Sequence, residues 1–235
     1  MNLNRFKLLI MFFLVFFLTA FSMFKNGDRK IDFDSINYLD SNFNFTSLES
    51  VNKLLKQSDS GSLKLIKRDL NLNKLEKIIN NNVFIDSGEV SLSLGGEIGI
   101  KIIEKEPVFR VLNDKYYIDP SGNKMSLSKI FSKGVPLIIS DVDSTYLKDL
   151  GLFGKYIKND SFLSDHISGL EIIDDKFNIY VNNYSYLIKM NDLNDFESCF
   201  MNYKVFYKSV ENDSILARLS SINLNFKNQV IAQKK

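Results

Sequence analysis

The chain has 235 residues, 45% of them hydrophobic and 13% aromatic, with Phe and Tyr supplying the aromatic share because Trp is absent. Its 30 lysines and arginines against 28 aspartates and glutamates leave a net charge of +2, which provides no basic surface for nucleic acid. One cysteine, Cys199, excludes an internal disulfide framework and a thiolate metal site.

The first element is an unbroken apolar run from Leu8 to Phe24. As a helix it reaches about 26 Å, close to the thinnest hydrocarbon core a helix can cross. A helix satisfies its own backbone in lipid, so a single span is sufficient. A cleaved secretory signal is the alternative, since Ala20 and Ser22 offer a small-x-small site. The length of the run and the bulky Met23 and Phe24 favour a retained anchor. Arg5 and Lys7 on one side balance Lys25, Arg29 and Lys30 on the other, so charge leaves the orientation open. The chain beyond Lys25 exceeds the common single-domain size and lacks a Gly/Ser linker, so one large or two abutting domains are expected. Asn-x-Ser/Thr triplets start at Asn44, Asn159, Asn183 and Asn212, a number that chance supplies in so Asn-rich a chain.

Ile31, Phe33 and Ile36 suggest a short first strand. Thr46-Ser47-Leu48-Glu49 has the form of a capping box, and Leu48, Val51, Leu54 and Leu55 then repeat at helical spacing. Ser58 to Ser62, with Gly61, breaks that helix. A second begins near Asn71, carries Leu72, Leu75, Ile78 and Ile79 on one side, and ends at Asn80-Asn81-Asn82. Val90, Leu92 and Leu94 alternate with polar residues before Gly95-Gly96, and Ile98, Ile100 and Ile102 alternate after it, which predicts a hairpin. Strand, helix, helix, strand, strand in this order makes a compact α+β module, because two one-sided helices need a small sheet to cover.

From Pro107 onward the pattern is mostly strand. Val108 to Leu112 and Tyr116 to Ile118 are short strands, Asp119-Pro120-Ser121-Gly122 is a turn, and Val135 to Ile139 is another apolar run. Tyr146 to Ile157 and Phe162 to Leu170 read as helices, and Phe177 to Val181 with Tyr186 to Met190 read as a hairpin around Asn182-Asn183. A longer helix carries Phe196, Cys199, Phe200, Tyr203 and Tyr207 on one stripe. The last element is read as one strand from Ser220 to Ala232, with Ile222, Leu224 and Phe226 alternating with Asn223, Asn225 and Lys227.

Chemistry finds little purchase here. His166 is the sole histidine and sits beside Phe162, Leu163 and Leu170, the setting of a packed or surface residue and not of a base. Cys199 in its aromatic stripe reads as a small core hydrophobe. Asp141-Val142-Asp143-Ser144 resembles a metal-loop fragment without further ligands, and Asp143 or Ser144 is better explained as a helix cap. Asp174-Asp175 before Lys176 reads as a solvated turn. Gly95-Gly96 joins two strands and has no helix behind it to receive a phosphate. No catalytic, cofactor-binding or metal residue is assigned, and binding is favoured over catalysis.

A set of ordered fragments carries a resemblance to the FtsQ/DivIB family of bacterial division proteins. They are Glu49-Ser50-Val51-Asn52-Lys53-Leu54-Leu55, Asp69 to Glu76, Gly88 to Ser93, Ile102 to Val111, Tyr116 to Ser128, and Ser221 to Val230. The resemblance implies an α+β fold: a cytoplasmic tail at 1–7, a transmembrane helix at 8–24, a POTRA-like domain at 25–106 with β-α-α-β-β order, and at 107–235 a mostly β domain with flanking helices. It implies a single-pass protein of the inner membrane, N-terminus in the cytoplasm and C-terminal domain in the periplasm, enriched at the division site. It implies no enzymatic activity, no cofactor, no nucleic acid and no small-molecule substrate. The expected partners are FtsB-like and FtsL-like bitopic division proteins and other divisome components, through which septal peptidoglycan synthesis is regulated. Family members bind the partner along the last strands of the β domain. Here that corresponds to Ile222, Asn223, Leu224, Asn225, Phe226 and Asn228, of which Ile222 and Leu224 are also expected in the core.

A terminal strand with a free flank gives this mode its physical basis, since an incoming strand can satisfy its unpaired backbone groups. The chain departs from the family pattern in three ways. The first strand lacks the glycine that commonly comes after it. Asn225 and Phe226 replace a basic residue and a tyrosine, and Cys199 replaces a lysine. Two other function classes compete: a POTRA-type chaperone or assembly factor of envelope protein biogenesis, and a periplasmic hydrolase using His166.

Overall fold

A computed structural model describes residues 3–29, 31, 36–39, 43–58 and 66–235. The chain is α+β, with an apolar N-terminal helix and a mostly β C-terminal region, and it divides into two compact units, Met1–Glu104 and Lys105–Lys235. Helix α1 spans Leu3–Gly27, and its stretch from Phe6 to Gly27 is long and apolar enough to cross a membrane, with its side chains exposed.

The first unit continues with β1 (Asn37–Tyr38), α2 (Leu48–Ser58), α3 (Leu72–Asn80), β2 (Ile85–Leu92) and β3 (Ile98–Glu104). The sheet order is β1-β3-β2, with β1 parallel to β3 and β2 antiparallel to it. Val51 and Leu55 of α2 and Leu75 and Ile79 of α3 pack with Ile85, Val90, Ile98, Ile100 and Ile102 of the sheet. The helical spacing of the apolar residues thus finds the face that the strand alternation leaves dry. Asn71 caps α3, its side chain accepting from the Lys74 amide at 3.0 Å.

Two expectations for this unit change. Residues 32–35 of the expected first strand, Phe33 among them, lie outside the described residues; Ile31 and Ile36 are described and are not in a strand, and the described strand is Asn37–Tyr38. The start of α2 is capped one residue on from the anticipated box. Ser47 Oγ accepts from the Ser50 amide and Ser50 Oγ accepts from the Ser47 amide, each at 3.2 Å. Thr46 is buried and bound elsewhere. Its amide and hydroxyl both donate to Glu104 at 2.7 Å, and the amides of Asn44 and Phe45 donate to the same carboxylate. One carboxylate at the end of β3 therefore holds the whole approach to α2.

The second unit runs β4 (Phe109–Val111), β5 (Tyr116–Ile118), β6 (Lys124–Ser126), β7 (Leu137–Ile138), α4 (Leu147–Asn159), α5 (Ser161–His166), β8 (Ile167–Ile173), β9 (Lys176–Val181), β10 (Leu187–Met190), α6 (Phe196–Val210), α7 (Ile215–Arg218), β11 (Leu219–Phe226) and β12 (Gln229–Lys234). All nine strands form one sheet in the order β12-β11-β10-β9-β8-β7-β4-β5-β6. Asp119 organises the β5–β6 turn, one carboxylate oxygen accepting from the amides of Ser121 and Asn123, with Gly122 at φ 83°. The β8–β9 turn puts both Asp174 and Asp175 at positive φ, the mirror-image turn that matches strand twist.

The core of this unit is aromatic. Phe109, Phe153, Phe200 and Tyr203 are fully buried, with ring pairs Phe109–Phe153 and Phe153–Phe200 at 6.2 and 5.4 Å. The helix expected from Phe162 to Leu170 is instead a short helix and a strand. Only Ser161–His166 is helical, capped by Asp160, and the chain turns into β8 at Ile167. The apolar residues there satisfy both periods, and pairing with β7 and β9 decides between them.

Candidate functional site

The expected site lies at the C-terminal end of the large sheet, and its architecture differs from a single last strand. Ser220 to Ala232 is a hairpin. The chain reverses at Lys227-Asn228, with Asn228 in the left-handed region at φ 59°, and Phe226 pairs with Gln229 across the turn. β11 is hydrogen-bonded on both sides, parallel to β10 through Leu187↔Ser221 and Lys189↔Asn223, and antiparallel to β12. From Ser221 to Asn223 the strand therefore has no free flank, and past Asn223 the Asn225 side chain ties it to Asn191. β12 is the border of the sheet, and no strand pairs with its outer side among the described residues.

The six anticipated contact residues separate by burial. Ile222 and Leu224 point into the core, at 0% and 2% exposure. Asn223 is half-buried, and its side chain accepts from the Asn225 amide at 2.9 Å. Asn225 is exposed but engaged, its Oδ1 accepting from the Asn191 amide at 2.6 Å and so tying the end of β11 to the end of β10. Phe226 and Asn228 stand outside, with Phe226 49% exposed.

Beside them a cleft of about 270 Å³ opens between the end of β10, the start of α6 and the β11–β12 turn. Asp192, Asp195, Cys199 and Lys227 are among its walls. Cys199 Sγ donates to the Leu224 carbonyl at 3.4 Å, and burial, then Asp195 and Asp192, push its thiol above the ordinary range. The raised value and the bond to the Leu224 carbonyl both favour the thiol over the thiolate.

Sequence reasoning did not assign one further residue on this border strand, nor two exposed apolar residues of α6. Ile231 on β12 is 45% exposed, and Met201 and Val205 on α6 are exposed while the same helix buries Phe200 and Tyr203. Val230 packs on the core, so alternation places Ile231 on the opposite face of β12. Helix α6 packs against β11 and β12. The border thus offers unpaired backbone with an exposed apolar side chain, Ile231, on it, the combination that strand addition uses.

His166 lies elsewhere, closed into the core. Its Nε2 is 2.5 Å from the Tyr203 hydroxyl, which is 2.7 Å from that of Tyr186. Burial pushes the imidazole down to about 4 and the Tyr186 hydroxyl up to about 12. Asp143 caps a 3₁₀ turn at Ser144–Tyr146, accepting from the Thr145 amide at 2.8 Å. Among the described residues no group of three or more His, Cys, Asp or Glu side chains is arranged to hold a metal.

The family described as FtsQ/DivIB, C-terminal related, matches residues 106–233, nearly all of the second unit and every strand from β4 to β11. The chain belongs to this family. A search of curated proteins gives no match. Membership in FtsQ/DivIB points to a role in cell division within a family of non-enzymatic scaffolds. The apolar helix α1 is compatible with the single-pass anchor of such a protein.

Proposed function

We propose that the chain is a membrane-anchored divisome scaffold that binds FtsB-like and FtsL-like bitopic proteins through its second unit and so helps regulate septal peptidoglycan synthesis. In this reading the N-terminus is cytoplasmic, residues 25–106 are a POTRA domain, residues 107–235 are the family's β domain, and both face the periplasm at the division site. The observation that carries it is the open outer flank of β12 inside the region matched by the family.

The partner's strand adds along β12, not along β11. Of the six residues that the family resemblance implies, Phe226 and Asn228 touch the partner directly, and Ile231 joins them. Ile222, Asn223, Leu224 and Asn225 act by holding the hairpin in place through core packing and the Asn191–Asn225 bond. The test is depletion together with co-purification from crosslinked membranes. Filamentous or chained cells that still elongate, and recovery of small bitopic division proteins, are expected. Normal division on depletion would contradict the reading.

A further inference from the structure

The sheet of the first unit has a border of its own at β2, and a border strand pairs with any suitable strand it meets unless something blocks it. Val90-Ser91-Leu92 is good strand sequence, so the hazard is real. Yet three of the backbone groups that β2 turns away from β3, at Gly88 and Val90, are already engaged. The carboxamide of Asn80, at the end of α3, accepts from the Gly88 amide at 2.6 Å and donates to the Gly88 carbonyl at 3.3 Å. That donor–acceptor pair on one residue is what a neighbouring strand would supply. Glu76 then accepts from the Val90 amide at 3.0 Å.

The spacing explains why two side chains suffice. Glu76 and Asn80 are one turn apart on α3, a rise of about 6 Å, and Gly88 and Val90 are two strand residues apart, about 6.8 Å. The helix ladder and the strand ladder thus run in step. Gly88 allows the approach: a Cβ there would lie 2.3 Å from Ile79 Cγ2.

We infer that Asn80 and Glu76 form a side-chain latch that closes the β2 border to strand addition. The further consequence, that strand docking is thereby directed to β12, rests on the function proposed above. The latch itself does not.

The test uses the full-length chain in detergent micelles, comparing wild type with Glu76→Ala/Asn80→Ala. Freed of the latch, the double variant is expected to self-associate at least tenfold more tightly by sedimentation, with crosslinks between copies mapping to Asp86–Leu92. Glu76→Gln, which keeps an acceptor oxygen, is expected to behave as wild type. A folded double variant that self-associates no more than wild type overturns the inference, as do crosslinks that map to β12. If the double variant loses its circular dichroism signal, hydrogen exchange in the wild type decides. Protected Gly88 and Val90 amides support the latch, and exchange at the rate of exposed unpaired amides overturns it. Partner binding at β12 is expected to be unchanged in the double variant. Its absence in wild type would remove the proposed function and leave the latch standing.

Discussion

His166 and Tyr203 meet 2.5 Å apart in the core of the second unit, joining the end of α5 to the middle of α6. Their neighbourhood is aromatic, with Phe162 stacked on the imidazole at 4.7 Å and Tyr207 edge-on at 4.9 Å. Charge in such a place has no counter-ion, which is why desolvation holds the imidazole neutral.

That fixes a pH dependence. The folded-state value of about 4 lies below the unfolded value near 6.5, so the unfolded chain takes up a proton that the native core refuses. Stability is complete above pH 6.5 and falls as pH drops toward 4, by about 3 kcal/mol from this group. Denaturant melts of wild type and His166→Gln between pH 4 and 7 check it. The variant is expected to show a shallower slope, and identical slopes would remove His166 as the cause.

Tyr203→Phe takes away the hydroxyl that stands between His166 and Tyr186. Two buried polar atoms then lose a partner, and a loss of about 1–3 kcal/mol is expected. Tyr184→Phe, on a half-buried ring beside the cluster, serves as the control and is expected to cost less.

Glu104→Ala strips the carboxylate that receives the Asn44, Phe45 and Thr46 amides and the Thr46 hydroxyl. The expected cost is about 2–4 kcal/mol, because hydrogen bonds to a charged acceptor are strong and Thr46 is buried. Glu104→Gln keeps one acceptor oxygen and is expected to fall between the two. Thermal melts monitored on the first unit would show it.

Gly169→Ala places a Cβ 2.3 Å from the Leu137 carbonyl oxygen, at the point where β7 pairs with β8. Backbone cannot yield as a side chain tip does, so a loss of about 1–3 kcal/mol is expected, with the β7–β8 amides losing exchange protection first. An unchanged melting temperature would mean the pairing is looser than these distances require.

Much of this fold is legible from residue order alone. Leu75 and Ile79 of α3 and the alternating isoleucines of β3 announce their buried faces, and Gly95-Gly96 announces the reversal between β2 and β3. The differences share a cause. Phe162, Leu163, His166, Ile167 and Leu170 fit a helix period, yet partners distant in sequence, at Leu137 and Val181, make a strand of the second half. At the C-terminus the even-numbered alternation of Ile222, Leu224 and Phe226 resumes at Val230 and Ala232, so the turn at Lys227-Asn228 interrupts the pattern at one position only. Asn228, able to take positive φ, is the one available signal. The latch on β2 has none, since Glu76 and Asn80 read as ordinary polar residues of a helix face.

Phe226→Ala is expected to weaken partner binding by about 1–2 kcal/mol while leaving the melting temperature nearly unchanged, since the ring is half exposed and anchors nothing in the core. Affinity measured by titration with the partner's periplasmic segment checks it. Unchanged affinity would place the contact away from the hairpin turn.

The central claim is that β12 receives a partner strand on its outer side, and hydrogen exchange along Gln229–Lys234 tests it most directly. In the presence of the FtsB-like partner, the outward-facing amides of β12 should gain protection to the level of those already paired with β11. Tight partner binding that leaves the β12 amides exchanging as in the free protein would contradict it.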